Sequence, residues 1–452
     1  MSKTPSNPKG TRDFLPSNLS KRNYILDVIK KNFLLFGFLE IETPALEKNS
    51  TLLGKYGNEG DRLIFKILNS GEKVKKANIS AFQANNLSEF TNSISEKGLR
   101  YDLTVPLARF VAQHQNDLIF PFKRFQIQNV WRADRPQHGR FQEFTQCDAD
   151  IIGTNSILQE IELIKLYDTI FSELGFNDII FKINHRGILN ALANYIGIVD
   201  KLTDFISIID KIDKIGLNKV IDELNEIIDR SSVSKLTSLL GKEKISIKKL
   251  KILFIESIEG VKAIEEINTI MEFISENNCI NNEIEFDLTL ARGLNYYTGT
   301  IIEVTSKSNN AIGSLGGGGR YDDLTSFFNL KNMSGVGISF GLDRIFLQME
   351  EQKMFPEHLD NNFDIIVINF GISYIKKLYP LIDSLRKEGK KIDIYPDEVK
   401  LNKQFSYANK HNVNYAIIMG ENEFKKNQVV IKNMIDGSQS NYSIEEVNSL
   451  LF

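Results

Sequence analysis

The chain has few of the residues and segments that mark disulfide-linked, metal-bound or membrane-spanning proteins. Its 452 residues include only two cysteines, Cys147 and Cys279, which are too far apart in sequence to form a zinc cluster. So few cysteines suit a reducing compartment. No run of about 18 apolar residues is present, as a transmembrane helix would require. Residues 1–8 have no apolar segment of signal-peptide length, so we expect a cytoplasmic protein with no membrane partner.

Further absences concern charge, metals and dinucleotides. The formal net charge is −3, so a nucleic-acid partner would have to be held by local basic patches and by shape. No His-x-x-x-His spacing is present, so we assign no metal site, and we expect His114, His185, His358 and His411 to be structural or surface residues. No Gly-x-Gly-x-x-Gly opens a βαβ unit, which excludes a Rossmann domain. What remains is an ordinary globular composition, with 42% hydrophobic residues, and a length that predicts several domains.

The apolar pattern changes along the chain. Residues 188–280 are rich in Lys, Ile, Asp and Leu at helical spacing, which predicts a helical insertion between two mixed segments, 1–187 and 281–350. A linker near 350–362 precedes 363–452, where strands and helices alternate as in a small α/β domain. Residues 66–89, polar and rich in Asn, Ser and Lys, are expected to be the least ordered part.

The most informative segment is Ala-Arg-Gly-Leu-Asn-Tyr-Tyr-Thr-Gly at 291–299, which lies between two apolar runs. This context predicts a strand, a glycine-bearing bend and a second strand. One cation and two phenols on a rigid sheet suit a small polar ligand that carries a carboxylate or phosphate. The alternative is an ordinary hairpin with packed tyrosines and a solvated arginine.

A second segment, 125–144, predicts two strands joined by a turn with three arginines, Arg132, Arg135 and Arg140. Guanidinium groups match phosphate oxygens, so the turn favours a polyphosphate ligand, with a solvated basic turn as the alternative. In the strand that follows, a period of two places Gln146, Asp148 and Asp150 on one face.

Two glycine-rich segments follow the helical region. Gly-Val-Gly-Ile-Ser-Phe-Gly at 335–341 enters a helix that carries Arg344, which could cover a triphosphate. Gly-Gly-Gly-Gly-Arg-Tyr-Asp at 316–322 is closely flanked by apolar residues. This favours a strand that a ligand approaches tightly over a flexible linker.

These segments resemble the signatures of histidyl-tRNA synthetases, which are class II aminoacyl-tRNA synthetases. Residues 292–297 are similar to the family's Arg-Gly-Leu-Asp-Tyr-Tyr, with Asn295 in place of Asp, and residues 316–322 match a second signature. Segments near 18–44, 125–144 and 335–345 resemble class II motifs 1, 2 and 3. The resemblance runs from about Lys9 to the C-terminus, with one weakly matching stretch in the middle.

The resemblance implies an α+β fold. It predicts a class II catalytic domain with an antiparallel sheet in 1–187 and 281–350, a helical insertion domain in 188–280, and an anticodon-binding domain in 363–452. It also implies a homodimer, formed through the N-terminal helix and the strand that ends at Pro44.

The implied activity is ATP-dependent activation of L-histidine and its transfer to tRNA(His), with Mg²⁺ but without zinc or an organic cofactor. Arg292 and Arg132 would be the catalytic residues. The positions implied for histidine are Asp102, Leu103, Thr104, Arg132, Gln146, Asp150, Arg292, Tyr296, Tyr297 and Tyr321. Those implied for ATP are Arg132, Asp134, Arg140 and Arg344. For Asp102, a helix-capping role is the alternative.

Two rival functions stay open on the sequence. One is a catalytically silent synthetase-like regulator of histidine biosynthesis, although such paralogues usually lack the C-terminal domain and the Arg-Gly-Leu-x-Tyr-Tyr signature. The other is a synthetase for a different amino acid, such as proline or threonine, which the Tyr-Tyr and glycine-run signatures disfavour.

Overall fold

The computed structural model of the chain describes residues 5–240, 245–292, 296–308, 313–361 and 363–450. Gly293, Leu294 and Asn295 of the signature segment lie outside the described residues, and so does the departure from the family pattern at Asn295. The chain forms two units. The first comprises Met1–Asp13 and Ile25–Lys353, and the second comprises Phe14–Tyr24 and Met354–Phe452.

A large sheet organises the first unit. Its strands, together with those of a small second sheet, are β1 (Leu39–Glu40), β2 (Leu46–Lys48), β3 (Lys66–Ile67), β4 (Lys97–Leu99), β5 (Phe122–Trp131), β6 (Glu143–Ile152), β7 (Ile179–His185), β8 (Glu283–Phe286), β9 (Thr300–Ser306), β10 (Gly316–Tyr321) and β11 (Gly335–Gly341). The large sheet has the order β1-β5-β6-β11-β10-β9-β7-β8, and the small one β2-β4-β3. The predicted antiparallel sheet is confirmed, with a parallel pair at each edge, β1 with β5 and β7 with β8.

The described helices up to residue 353 are α1 (Pro16–Leu35), α2 (Asn49–Leu52), α3 (Gly57–Arg62), α4 (Ile79–Gln83), α5 (Leu87–Ile94), α6 (Thr104–His114), α7 (Leu158–Glu173), α8 (Arg186–Ile196), α9 (Leu202–Ile209), α10 (Ile212–Ile215), α11 (Leu217–Ile227), α12 (Arg230–Leu239), α13 (Ile247–Leu253), α14 (Ile258–Asn277) and α15 (Leu342–Glu351). They include seven, α8 to α14, that follow one another with no described strand between them. In the described parts of 186–277, only helical segments occur. Their apolar residues at helical spacing, among them Phe205, Ile264 and Ile267, are buried.

The expectation that residues 66–89 are the least ordered was wrong, because the asparagines there serve as helix caps. The Asn78 side chain accepts a hydrogen bond from Ala81 N at 3.0 Å, at the start of α4. The Asn86 side chain accepts one from Glu89 N at 3.2 Å, at the start of α5. Polar composition here reflects two helix starts.

One face of the large sheet packs against helices. Phe340 of β11 lies 4.6 Å from Tyr167 and 5.7 Å from Phe171 of α7, measured between ring centroids. Phe33 of α1 lies 5.2 Å from Phe125 of β5 and 5.8 Å from Phe340. Because successive side chains of a strand point to opposite faces, this aromatic core leaves the polar residues of β5 and β6 on the other face.

The second unit has its own five-stranded sheet. Its elements are β12 (Ile365–Val367), α16 (Ile372–Lys387), β13 (Ile392–Ile394), α17 (Leu401–Lys410), β14 (Tyr415–Ile418), α18 (Glu421–Lys426), β15 (Gln428–Asn433), β16 (Gln439–Ser443) and α19 (Ile444–Leu450). The strand order is β13-β12-β14-β15-β16. The sequence did not predict α18 or β16. The latter is a polar edge strand with no apolar alternation.

Candidate active site

A pocket of about 1150 Å³, counting its open mouth, lies over the polar face of the large sheet. Strands β6, β10 and β11 contribute its floor, and the turn between β5 and β6 and the first turn of α15 border it. The pocket brings together every predicted site residue except Leu103. These lining residues are Asp102, Thr104, Arg132, Asp134, Arg140, Gln146, Asp150, Arg292, Tyr296, Tyr297, Tyr321 and Arg344.

Leu103 is the exception among the predicted residues. Its side chain is fully buried directly before α6 and does not line the pocket. The preceding residue, Asp102, both lines the pocket and caps α6, because its Oδ1 accepts a hydrogen bond from Val105 N at 3.1 Å. The two interpretations of Asp102, as site residue and as helix cap, are therefore compatible.

One row of paired residues crosses the sheet beneath the pocket. In the order β5, β6, β11, β10 and β9, it consists of Gln126, Asp148, Ser339, Gly317 and Glu303. Directly paired residues of antiparallel strands point to the same face, so the row lies on the polar face. A Cβ on Gly317 would lie 1.5 Å from Nη1 of Arg292. Glycine at this position thus leaves the space that the Arg292 guanidinium occupies.

Arg292 has an unusual backbone. Its φ is +49°, in the left-handed region that residues other than glycine rarely adopt. Nη1 donates to Ile302 O at 3.3 Å, which holds the guanidinium over the sheet. Such backbone strain is concentrated at functional sites, where the surrounding structure maintains it.

Three carboxylates lie at one end of the pocket, and burial raises the pKa of each. Asp102 accepts a hydrogen bond from the Tyr56 hydroxyl at 2.8 Å. Asp150 has Arg124 Nη2 at 2.6 Å from its Oδ2 and accepts a hydrogen bond from the Tyr321 hydroxyl. For Asp148, burial raises the pKa to about 7, although Arg124 opposes the shift.

Aromatic rings enclose this carboxylate end. The Tyr296 ring lies 4.9 Å from that of Tyr297 and 6.1 Å from that of Tyr321. Tyr297 and Tyr321 are almost fully buried. Rings with hydroxyl groups beside carboxylates form a pocket that suits a flat, polar group with N–H donors.

Arginines gather at the other end of the pocket. Arg132 Nε donates to Tyr101 O at 3.1 Å, and its guanidinium lies over the Tyr101 ring at 4.3 Å. Arg344 Nη1 donates to Ser314 O at 2.8 Å. Burial lowers the pKa of Arg344, and the positive charges of Arg140, Arg132 and Arg292 lower it further. The four arginines that line this pocket, Arg132, Arg140, Arg292 and Arg344, suit a polyanionic ligand, because guanidinium groups match phosphate oxygens.

Sequence reasoning assigned no role to two buried polar residues of this site, Arg124 and Asp148. Arg124 is wholly buried and pairs with Asp150, and Asp148 lines the pocket. The signal for Arg124 was the period of two in β5, which places it on the same face as Gln126 and Gln128.

A family model described as histidyl-tRNA synthetase matches residues 83–345, more than half of the chain, and a model described as anticodon binding domain matches residues 364–451.

The chain belongs to the histidyl-tRNA synthetase family.

Its relatives in that family match along its whole length. The histidine–tRNA ligase of Christiangramia forsetii is 49% identical over 455 residues, and that of Flavobacterium johnsoniae is 48% identical over 473 residues. Both alignments cover 100% of each chain. The crystal structure of the histidyl-tRNA synthetase from Nostoc sp. PCC 7120 superposes with a TM-score of 0.82 at 28% identity, covering 99% of this chain and 98% of that one. The predicted family and fold class are confirmed. None of the described helices has the length and apolar character needed to span a bilayer.

Proposed function

We propose that the chain activates L-histidine with ATP and transfers the histidyl group to tRNA(His), releasing pyrophosphate and AMP. The observation that carries this proposal is a single pocket with two chemically different ends. Carboxylates and tyrosines contact one another on one side, where Tyr321 donates a hydrogen bond to Asp150. Arg140, Arg132 and Arg292 lie near Arg344 on the other side. An amino acid suits the first environment and a nucleoside triphosphate the second, and the two must lie side by side to react.

Histidine would occupy the carboxylate end. The buried carboxylates and hydroxyls would pair with its ammonium group and both imidazole nitrogens. Analogues that lack these N–H groups would leave buried polar groups unpaired and be rejected. The residues assigned to histidine are Asp102, Thr104, Gln146, Asp150, Tyr296, Tyr297 and Tyr321, with Arg132 and Arg292 at its carboxylate. We add Asp148, whose buried carboxylate faces the same space.

ATP would occupy the arginine end, with Arg132, Asp134, Arg140 and Arg344 around it. The histidine carboxylate oxygen attacks the α-phosphorus, and the bond to the pyrophosphate oxygen breaks. Arg132 and Arg292 stabilise the charge that develops on the α-phosphate, so the protein acts by positioning and electrostatics. A ribose hydroxyl of the tRNA then attacks the carbonyl carbon of the adenylate, and AMP leaves.

Mg²⁺ would accompany ATP and neutralise its phosphates. Among the described residues, no group of three or more His, Cys, Asp or Glu side chains could hold a metal ion. The donor set does not fit a resident metal, so we derive no catalytic step through one. Magnesium commonly binds through substrate phosphates and water, with few protein ligands.

The remaining assignments concern domains, partners and location. We assign 1–187 and 281–350 to the catalytic domain, 188–280 to the insertion domain and 363–452 to binding of the tRNA anticodon. We also propose a homodimer formed through the motif 1 region, and a cytoplasmic location. The exposed leucines near the end of α1 and in β1 support the dimer, since Leu34, Leu35 and Leu39 are 54%, 71% and 61% exposed.

Amino-acid-dependent exchange of pyrophosphate into ATP tests this function. Each of the twenty amino acids is supplied separately to the full chain. The proposal expects exchange with histidine alone. Exchange with proline or threonine would indicate a different synthetase, and no exchange with any amino acid would favour the silent regulator.

A further inference from the structure

The N-terminal residues Pro8 to Arg12, which we call the N-terminal strap, lie against the arginine turn between β5 and β6. Gln142 N donates to Gly10 O at 2.9 Å, and Arg132 N donates to Gln142 O at 2.9 Å. One residue of the turn therefore connects the strap to the backbone of Arg132. Neither the composition nor the periodicity of residues 8–12 predicts this connection.

Arg12 makes the strongest contacts of the strap. Its Nη2 donates to Asp343 Oδ1 at 2.6 Å, and the Asp343 side chain is only 6% exposed. Its guanidinium carbon lies 3.2 Å from the centre of the Phe141 ring. Both partners line the pocket, one in the turn and the other in the first turn of α15. A charge-assisted hydrogen bond and a stacked ring together fix the position of a side chain better than either does alone.

The sequence neighbours of these partners explain why the contacts matter. Phe141 directly follows Arg140, and Asp343 directly precedes Arg344. These two arginines come from separate elements, and both border the arginine end of the pocket. Arg344 Nε lies 3.5 Å from Gly139 O, in the same turn. Arg12 therefore joins the two elements that carry the phosphate-facing arginines.

We propose that Arg12 is a positioning residue for ATP, which holds the arginine turn and α15 at the separation that triphosphate binding requires. Arg12 acts through Phe141 and Asp343, so its loss affects the arginine end of the pocket and spares the carboxylate end. A displacement of about 1 Å in a group that positions the substrate can cost about 100-fold in rate. The inference rests on the proposed function, since it assigns ATP to this end.

Gly10 gives an independent way to disturb the strap without altering Arg12. Its φ is +83°, and a Cβ there would lie 2.6 Å from Gln142 Cγ and 2.9 Å from Pro136 Cγ. The variant Gly10→Ala therefore both strains the backbone and pushes the strap away from the turn.

The experiment measures histidine-dependent pyrophosphate exchange in the full-length chain, with separate KM values for ATP and histidine. The variants are Arg12→Ala, Arg12→Lys and Gly10→Ala, with exposed Lys9→Ala as the matched control. In Arg12→Ala the KM for ATP should rise about tenfold, because the arginines of the turn and of α15 lose the contact that fixes their separation. The KM for histidine should stay within about twofold. In Arg12→Lys the KM for ATP should lie between the values of the unmodified chain and of Arg12→Ala, because lysine keeps the charge but cannot stack on Phe141 as a planar group.

The single variant Asp343→Asn and the double variant Arg12→Ala/Asp343→Asn add a test of coupling. If the two residues act together, the effect of the double variant on the KM for ATP will be smaller than the product of the two single effects. An unchanged KM for ATP in folded Arg12→Ala and Gly10→Ala would overturn the inference. Equal rises in both KM values would also overturn it, since they indicate general loosening. Absence of exchange in the unmodified chain would instead contradict the proposed function itself.

Discussion

The sheet of the second unit buries apolar side chains on both of its faces, whereas the large sheet of the first unit buries charged and amide side chains on one face. Ile365 and Val367 of β12 belong to one apolar cluster, and Ile366 and Ala416 belong to another. The polar face of the large sheet instead buries ionisable and amide side chains, namely Arg124, Gln126, Asp148 and Asp150.

The difference concerns how much the buried side chains of each unit contribute to its stability. Burying a charge is unfavourable unless it is paired, and even a paired charge is often no better than an apolar replacement. The large sheet keeps such groups where they face a pocket, as expected when binding requires them. Among its described residues, the sheet of the second unit does not bury a comparable set of charged side chains. We therefore expect the function of this unit to lie on its outer surface.

The largest effect is expected from Arg292→Ala. This change removes the guanidinium above Gly317 that would stabilise charge in the transition state. Adenylate formation, measured as pyrophosphate exchange, should fall about 100-fold or more, the scale for one lost charged stabiliser. Binding of tRNA should change little. Near-normal exchange in this variant would remove Arg292 from the mechanism.

The outer surface of the second unit should affect tRNA and leave the first chemical step unchanged. Lys400, Lys403 and Lys410 are exposed near α17. Replacing all three with Glu should raise the KM for tRNA about tenfold or more at physiological salt, because phosphate contacts dominate such binding. Pyrophosphate exchange should remain normal. An unchanged KM for tRNA would place the anticodon contact elsewhere.

Asp150→Asn tests the histidine end of the pocket. The KM for histidine should rise about tenfold, because a charged hydrogen-bond acceptor is lost, and the KM for ATP should change far less. The variant also leaves Arg124 buried without its carboxylate, so its unfolding midpoint must be recorded alongside. Equal changes in the two KM values would mean that the pocket is misassigned.

The smallest effect concerns stability and pH. Burial raises the pKa of Asp148 to about 7, so the folded protein holds this proton in a range where the unfolded chain has lost it. The carboxyl is neutral, and stabilising, at low pH, and this contribution is lost as pH rises through 7. Asp148→Asn should therefore raise the unfolding midpoint relative to the unmodified chain more at pH 8 than at pH 5. Exposed Asp397→Asn is the control. A rise in the unfolding midpoint that is the same at pH 5 and pH 8 would show that the raised pKa of Asp148 is not its cause.

Periodicity and glycine placement predicted much of this molecule. The spacing of apolar residues anticipated the helical segment and most of the second unit, and the glycine run at 316–322 anticipated β10. The alternation of side chains along β6 predicted that Gln146 and Asp150 share one face, and both line the pocket. These features depend on residues close in sequence, so a local pattern is enough to predict them.

Other features depended on tertiary contacts that no local pattern encodes. The period of two in β5 places Arg124 on the polar face, but a charged residue in a strand is usually exposed, so this pattern does not predict its burial beneath the pocket with Asp150. The contact between Arg12 and Asp343 joins residues 331 positions apart. The strand β16 is polar along its length because it lies at a sheet edge, where alternation is weak.

The most direct test of the central claim is transfer of labelled histidine to tRNA(His) by the full-length chain with ATP and Mg²⁺. The account predicts ATP-dependent formation of an alkali-labile ester on the tRNA, reduced about 100-fold or more by Arg292→Ala. Absence of labelled tRNA from the unmodified chain, under conditions in which a known histidyl-tRNA synthetase charges the same tRNA, would contradict it.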